Sequence, residues 1–421
     1  MDTGPDIGPD TNPARIEGGL LRDLGAVGDW QSRSLGWQLP PARSYSAQRI
    51  LVLWFLGCSF FVLLVGGAWG QVAGKIEIVE TQTAAELRAA GRGFVASMTI
   101  HLPPALTTLA ELESLNPQIS QLFPDLGRMM ESAEVSPRYG ELYRRKLDRL
   151  KKGTVLSDHN FLDCATVLQL RHPESGRRVL LLQADMDVVT DGSDPERAPR
   201  LEDYDVARGS DWYLPQTAYT WADPPDSPNP FLAYYPAAID RLDHYRALFV
   251  QESQADKGRI WRFLIATVDS QKARMKTAGR SEATIRGLKR SRSLLGTIDP
   301  FVVLPMNWFS GPSSPWKPRI GDYAAVIHGD KIYPAIVGEA GPTFKVGEAS
   351  LRIAQTINPK ASGRQRAVSS LAVTYLVFPQ TADARSAPDL ARWEEKVRGY
   401  LTEVGGRSNS DSLHSWTEVE P

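Results

Sequence analysis

Between Gly321 and Gln355 the chain reads GDYAAVIHGDKIYPAIVGEAGPTFKVGEASLRIAQ. Two strand-like apolar runs are followed by two Gly-Glu steps, Gly338-Glu339 and Gly347-Glu348, with Gly341-Pro342 between them. Apolar runs of this length, punctuated by glycine and proline, commit the segment to β-structure with sharp turns. Glycine admits a tight turn or the close approach of another group, so a carboxylate beside it can stand clear of bulk. The two glutamates are nine positions apart, a span of roughly 30 Å if extended. If Gly341-Pro342 reverses the chain, they come within the ~6.5–9.5 Å that separates the carboxyls of an inverting glycosidase. A structural reading stands beside the catalytic one. Glu348 would open a helix over Ala349–Ala354, where an acid in the first turn stabilises the N-terminus, and Glu339 would be a turn residue.

The 421 residues exceed one average domain, and their 42% hydrophobic content suffices for a sizeable core. A net charge of −1 gives no global attraction to nucleic acid, nor to a polycationic polymer. Two cysteines, Cys58 and Cys164, exclude a disulfide framework. The six histidines show no HxxxH or HExxH spacing, so neither a metal nor a cofactor is expected.

Ile50–Trp69, ILVLWFLGCSFFVLLVGGAW, is twenty residues without a charge. That length spans a bilayer. Arg33, Arg43 and Arg49 precede the span, and Lys75, Glu77 and Glu80 follow it. The positive-inside rule then puts residues 1–49, a polar tail expected to be disordered, in the cytoplasm and the bulk of the chain outside. The lipid bilayer is thus an expected partner through residues 50–69. A helical juxtamembrane region is expected over 70–152. It includes a basic helix from Arg138 to Lys152 whose charges are read as a solvated face.

Cys164–Leu170 and Val179–Leu182 flank Pro173-Glu174-Ser175-Gly176, a hairpin pattern. Asp185, Asp187, Asp191 and Asp194 follow, read either as substrate contacts or as surface Asx turns. Residues 231–296 read as a helical insert with a basic run lacking the interleaved aromatics of a nucleic-acid surface. Trp308 and Trp316 flank the strand ending at Pro305 and are candidates to hold a sugar ring, or ordinary packing residues.

The order of these pieces resembles the chitosanases of glycoside hydrolase family 75. The matching elements are Asp185-Met186-Asp187 with Asp191-Gly192, then Ser210–Thr217, Asp299–Pro305, Gly321-Asp322, Gly338-Glu339, Gly341-Pro342, Gly347–Ser350 and Tyr375–Pro379. They run over about 180–406. The resemblance implies inverting endo-hydrolysis of a β-1,4-linked amino-sugar polysaccharide, with Glu339 and Glu348 as the catalytic pair. The family has Asp where Glu339 stands, and its turn is longer. The helix N-terminus favours Glu348 ionised, as base, and the strand before Glu339 desolvates it, as acid. Asp322, Asp191, Asp187, Trp308 and Trp316 are the expected substrate contacts.

The fold expected is a β-rich α+β domain over 153–406. It would be a barrel-like antiparallel sheet with flanking helices, preceded by one transmembrane helix and followed by a disordered tail at 407–421. A catalytically inactive glycan- or partner-binding module is the alternative function, and the same chemistry on another polymer is a third.

Overall fold

A computed structural model describes residues 102–417, apart from 152–160, 211–212, 222–224, 256–264 and scattered positions between 267 and 291. The expected transmembrane span, 50–69, and the cytoplasmic tail lie outside the described residues. Among those described, no helix is long and apolar enough to cross a membrane.

Among the described residues, ten strands form in chain order. They are β1 (Glu134–Val135), β2 (Cys164–Arg171), β3 (Arg178–Val189), β4 (Thr220–Trp221), β5 (Arg292–Ser293), β6 (Phe301–Pro305), β7 (Tyr323–His328), β8 (Lys331–Gly341), β9 (Glu348–Ser350) and β10 (Val368–Val377). The main sheet runs β1-β2-β3-β10-β7-β8-β6-β9, and β9 also pairs with β3. That extra pairing closes six strands into a barrel, which removes the open edges a sheet would otherwise present. The expectation of a barrel holds. Its antiparallel character holds only in part, because β3 pairs with β9 and β6 with β8 in parallel. Parallel neighbours need a crossover rather than a hairpin. Their signature is therefore distant in sequence.

The hairpin at Pro173–Gly176 joins β2 to β3 in antiparallel register. Strands β3, β6, β7 and β8 and the second half of β10 are almost continuously buried, as expected where both faces are covered. Helices α1 (Leu109–Leu115), α2 (Ile119–Leu122), α3 (Leu126–Met130), α4 (Pro137–Lys151), α5 (Asp205–Arg208), α6 (Phe231–Ala255), α7 (Leu351–Ile357) and α8 (Leu390–Glu403) flank the barrel. The insert expected over 231–296 begins with α6, whose first turns pack Phe231, Tyr234, Tyr235 and Ala238 against Ala198, Tyr204 and Leu295 in a second small core.

Three local expectations are corrected. Glu348 does not open a helix: it begins β9, and α7 starts at Leu351 behind an N-cap at Ser350, whose hydroxyl accepts from the Ile353 amide. The basic helix is not uniformly a solvated face. Lys146 is buried in α4 and pairs with buried Asp163 at 2.7 Å. The expected tail is also docked as far as it is described. Leu413 and Trp416 are buried, and the Trp416 indole donates to Pro334 O at 2.8 Å.

Candidate active site

Two parallel pairings and one antiparallel pairing create one row of side chains across four strands. Asp187 on β3 is the register partner of Glu348 on β9, Glu348 partners Val303 on β6, and Val303 partners Glu339 on β8. Residues directly opposite each other in a sheet project to the same face. Three carboxylates therefore share a face. The next row, Val188, Ala349, Val302 and Val337, is apolar and buried, and it faces the other way.

Glu339 joins that row because of a bulge. The register runs Val302–Val337 and then Val303–Glu339, so Gly338 is the extra residue. A bulge re-aims the side chain that follows it. Without this one, Glu339 would oppose Leu304 and face the core side. A Cβ on Gly338 would stand 2.7 Å from the Phe301 side chain, so the bulge needs glycine. Its carbonyl accepts from the Tyr219 amide at 2.9 Å, and the preceding amide, Ala218 N–H, donates to Glu339 Oε2 at 2.8 Å. One short segment thus holds both the bulge and the carboxylate it presents.

Glu348 has room for a similar reason. A Cβ on Gly341 would lie 2.7 Å from Val303 Cγ1 and 3.1 Å from Glu348 Oε2. The two glutamates do not face each other across a reversal at Gly341-Pro342, as the sequence suggested. They lie on either side of β6. Two interstrand spacings put their Cα atoms roughly 10 Å apart.

The electrostatics divide the group. Burial pushes the Glu339 carboxyl up to about 7, against two backbone amides that lower it, and the charge of Glu348 adds to the rise. Asp191 is held well above the usual carboxylate range by burial and then by the charge of Glu339, although the Leu214 amide donates to it at 2.8 Å. Lys345 Nζ bridges Glu348 at 2.8 Å and Asp187 at 3.0 Å. Burial works against its charge, but those two carboxylates more than reverse this and keep it an ammonium.

Of the residues expected at the site, Glu339, Glu348, Asp187 and Asp191 come together. Three others do not join them. Asp322 is fully buried, and its carboxylate accepts from the amides of Arg319, Gln380, Thr381 and Ala382 at 2.6–3.0 Å. It ties two loops together. Trp308 is fully buried beneath the Arg138 guanidinium, 5.3 Å from its ring, and has no face to offer a sugar. Trp316 packs by Arg178, which begins β3 nine residues before Asp187, about 30 Å along the strand. The sequence reading missed Lys345 and the Ala218 amide. Lys345 stands three residues before Glu348, a legible proximity; nothing in the sequence marks Ala218. Among the described residues, no group of three His, Cys, Asp or Glu is arranged to hold a metal ion.

Residues 255–407 match the family described as fungal chitosanase of glycosyl hydrolase group 75. This stretch is similar to the group 75 glycosyl hydrolases. The match bears out the resemblance read from sequence, begins later than its start near 180, and supports a glycoside hydrolase. Among curated proteins, none is similar enough to this chain to count as a match. The group 75 stretch carries Glu339, Lys345 and Glu348, while Asp187, Asp191 and Ala218 come from the chain before it.

Proposed function

We propose that the chain hydrolyses a β-1,4-linked amino-sugar polysaccharide, chitosan-like, by single displacement with inversion. Glu339 is the general acid and Glu348 the general base. The observation that carries the reading is the row Asp187–Glu348–Val303–Glu339. It sets two glutamates on one face with a whole strand between them. A spacing near 10 Å at Cα leaves room for the water that an inverting enzyme must activate, whereas a retaining pair stands ~5–5.5 Å apart at the carboxyls.

The roles follow from the surroundings. A carboxyl raised to about 7 keeps its proton at mildly acid pH and can give it to the leaving oxygen. Glu348 is ion-paired with Lys345 and is the carboxylate that takes a proton from water. The longer Glu339 in place of the family's Asp is accommodated by the bulge, which sets where its side chain begins. Asp191, held above the usual carboxylate range by burial and by the charges of Glu339 and Glu348, is placed to contact a substrate oxygen.

The test is hydrolysis of soluble chitosan by the full chain, with the anomer of the new reducing ends followed by NMR at early times. Inversion gives the α-anomer first. Initial β-anomer, or no cleavage of any soluble glycan, would overturn the reading. Anchoring through 50–69 with the domain outside the cytoplasm belongs to the same proposal. Protection of residues 102–417 from protease added to intact cells would count against it.

A further inference from the structure

We propose that Lys345 is a positioning residue that locks Glu348 and Asp187 into one charge-balanced unit and supplies the positive charge beside Glu348. The inference rests on the glycosidase reading above for its catalytic consequence, though not for its electrostatic one.

The geometry begins with the strands. Asp187 and Glu348 are register partners on β3 and β9, so their Cα atoms are about 4.8 Å apart. Like charges directly opposite each other in a sheet repel. A single ammonium, 2.8 Å from one carboxylate and 3.0 Å from the other, removes that repulsion. The lysine side chain is about 10% exposed, so solvent does little to screen the contact.

Lys345 is also held in place from both sides. The Arg149 guanidinium of α4 lies 3.8 Å from the centre of the Phe344 ring. The Val346 amide donates to Asp163 Oδ2 at 3.4 Å, and Asp163 pairs with Lys146, again from α4. The Lys345 amide itself donates to Pro342 O at 3.2 Å. The loop between β8 and β9 is thus braced on either side of the lysine by a helix outside the group 75 segment. A lysine that merely covered surface would need no such grip.

Other charged and titratable groups converge on this unit. Asp191 feels Glu339, Glu348 and Lys345. The Tyr375 hydroxyl of β10, raised by burial first, also feels Asp185, Glu348 and Asp187. Asp185 of β3 pairs with Arg366 at 3.1 Å. Lys345 is a cation in contact with both Glu348 and Asp187. Its removal takes from Glu348 and Asp187 the ammonium they share, and loss of a nearby opposite charge favours a protonated carboxyl. A base that holds a proton cannot accept one from water.

The experiment compares the full chain with Lys345→Met, Lys345→Arg and Lys345→Met/Asp187→Asn. The first readout is the pH dependence of kcat/KM on soluble chitosan. Lys345→Met is expected to move the acid limb up by about one pH unit or more, leaving the limb near pH 7 in place. Lys345→Arg, or removal of the like charge in the double variant, brings the limb back. A loss by the same factor at every pH would overturn the proposal. The second readout needs no turnover. The Tm deficit of Lys345→Met should be larger at pH 7, where both carboxylates are ionised, than at pH 4. A deficit independent of pH would mean that only the stem packs, and would also overturn it. Full activity in Glu348→Gln would instead defeat the assignment of the base while leaving the second readout to decide on Lys345.

Discussion

Asp322 and Glu339 stand at neighbouring strands, β7 and β8, each pushed toward its protonated form by burial. Their surroundings differ. Asp322 takes four backbone amides from two loops, 319–322 and 378–382, and both of its oxygens are used. Glu339 takes one amide from Ala218 and one from its own neighbour Ala340, and it is only partly buried. On the proposed reading, the same chemical group is a staple where four donors from two loops saturate it and a reagent where each oxygen takes only one. A carboxylate beside glycine is therefore no marker of catalysis. The number and origin of its donors decide.

Substitution offers the sharpest way to break that contrast. Glu339→Gln and Glu348→Gln should each lower kcat on a cleavable glycan by about 10²–10⁴, with circular dichroism and Tm close to wild type. Asp322→Ala should do the reverse. Four amides lose a charged acceptor, a cost of roughly 3 kcal/mol, or about 6–12 °C in Tm, while the folded fraction keeps its kcat within a few-fold. If Asp322→Ala abolished turnover without lowering Tm, the division between staple and reagent would fail.

Gly341→Ala probes the reagent side more gently. The new Cβ would press on Val303 Cγ1 and Glu348 Oε2. A displacement of the base by about an ångström predicts a loss of up to 10²-fold in kcat, read by steady-state kinetics, with little change in Tm. Smaller still is the pH effect. Activity should fall as pH rises through about 7, where Glu339 gives up its proton. The sign for stability follows from the same shift. The folded value lies above the unfolded one near 4.5, so ionised Glu339 costs stability progressively from pH 4.5 to above 7. Glu339→Gln should therefore raise Tm relative to wild type more at pH 8 than at pH 5, by a degree or two at this partly exposed site.

Much of the barrel was legible. Phe301–Pro305, Tyr323–His328 and Val373–Val377 are apolar runs that read as strands because burial on both faces demands them. The hairpin at Pro173–Gly176 announced itself through its turn residues. The two glutamates were legible from their glycines, but the reason they meet was not. A local reversal at Gly341-Pro342 looked sufficient, whereas β6, more than thirty residues earlier, lies between them. Parallel pairing leaves no local mark. Asp322 misled for a related reason: three of its four donors lie 58–60 residues away. Trp308 read as a sugar platform because composition shows an aromatic ring and not what covers it. Lys345 was overlooked although it sits three positions from Glu348, since a lysine in a Gly-Pro loop reads as solvent-facing until two strands close over it.

The central claim is that Glu339 and Glu348 form a working acid–base pair. It is tested most directly by counting new reducing ends from soluble chitosan, and from neutral and acidic glycans in parallel, for the full chain and for Glu339→Gln and Glu348→Gln. The account predicts release by the wild type from at least one amino-sugar polymer, and a fall of two orders of magnitude or more in each variant. Equal release by wild type and both variants would contradict it.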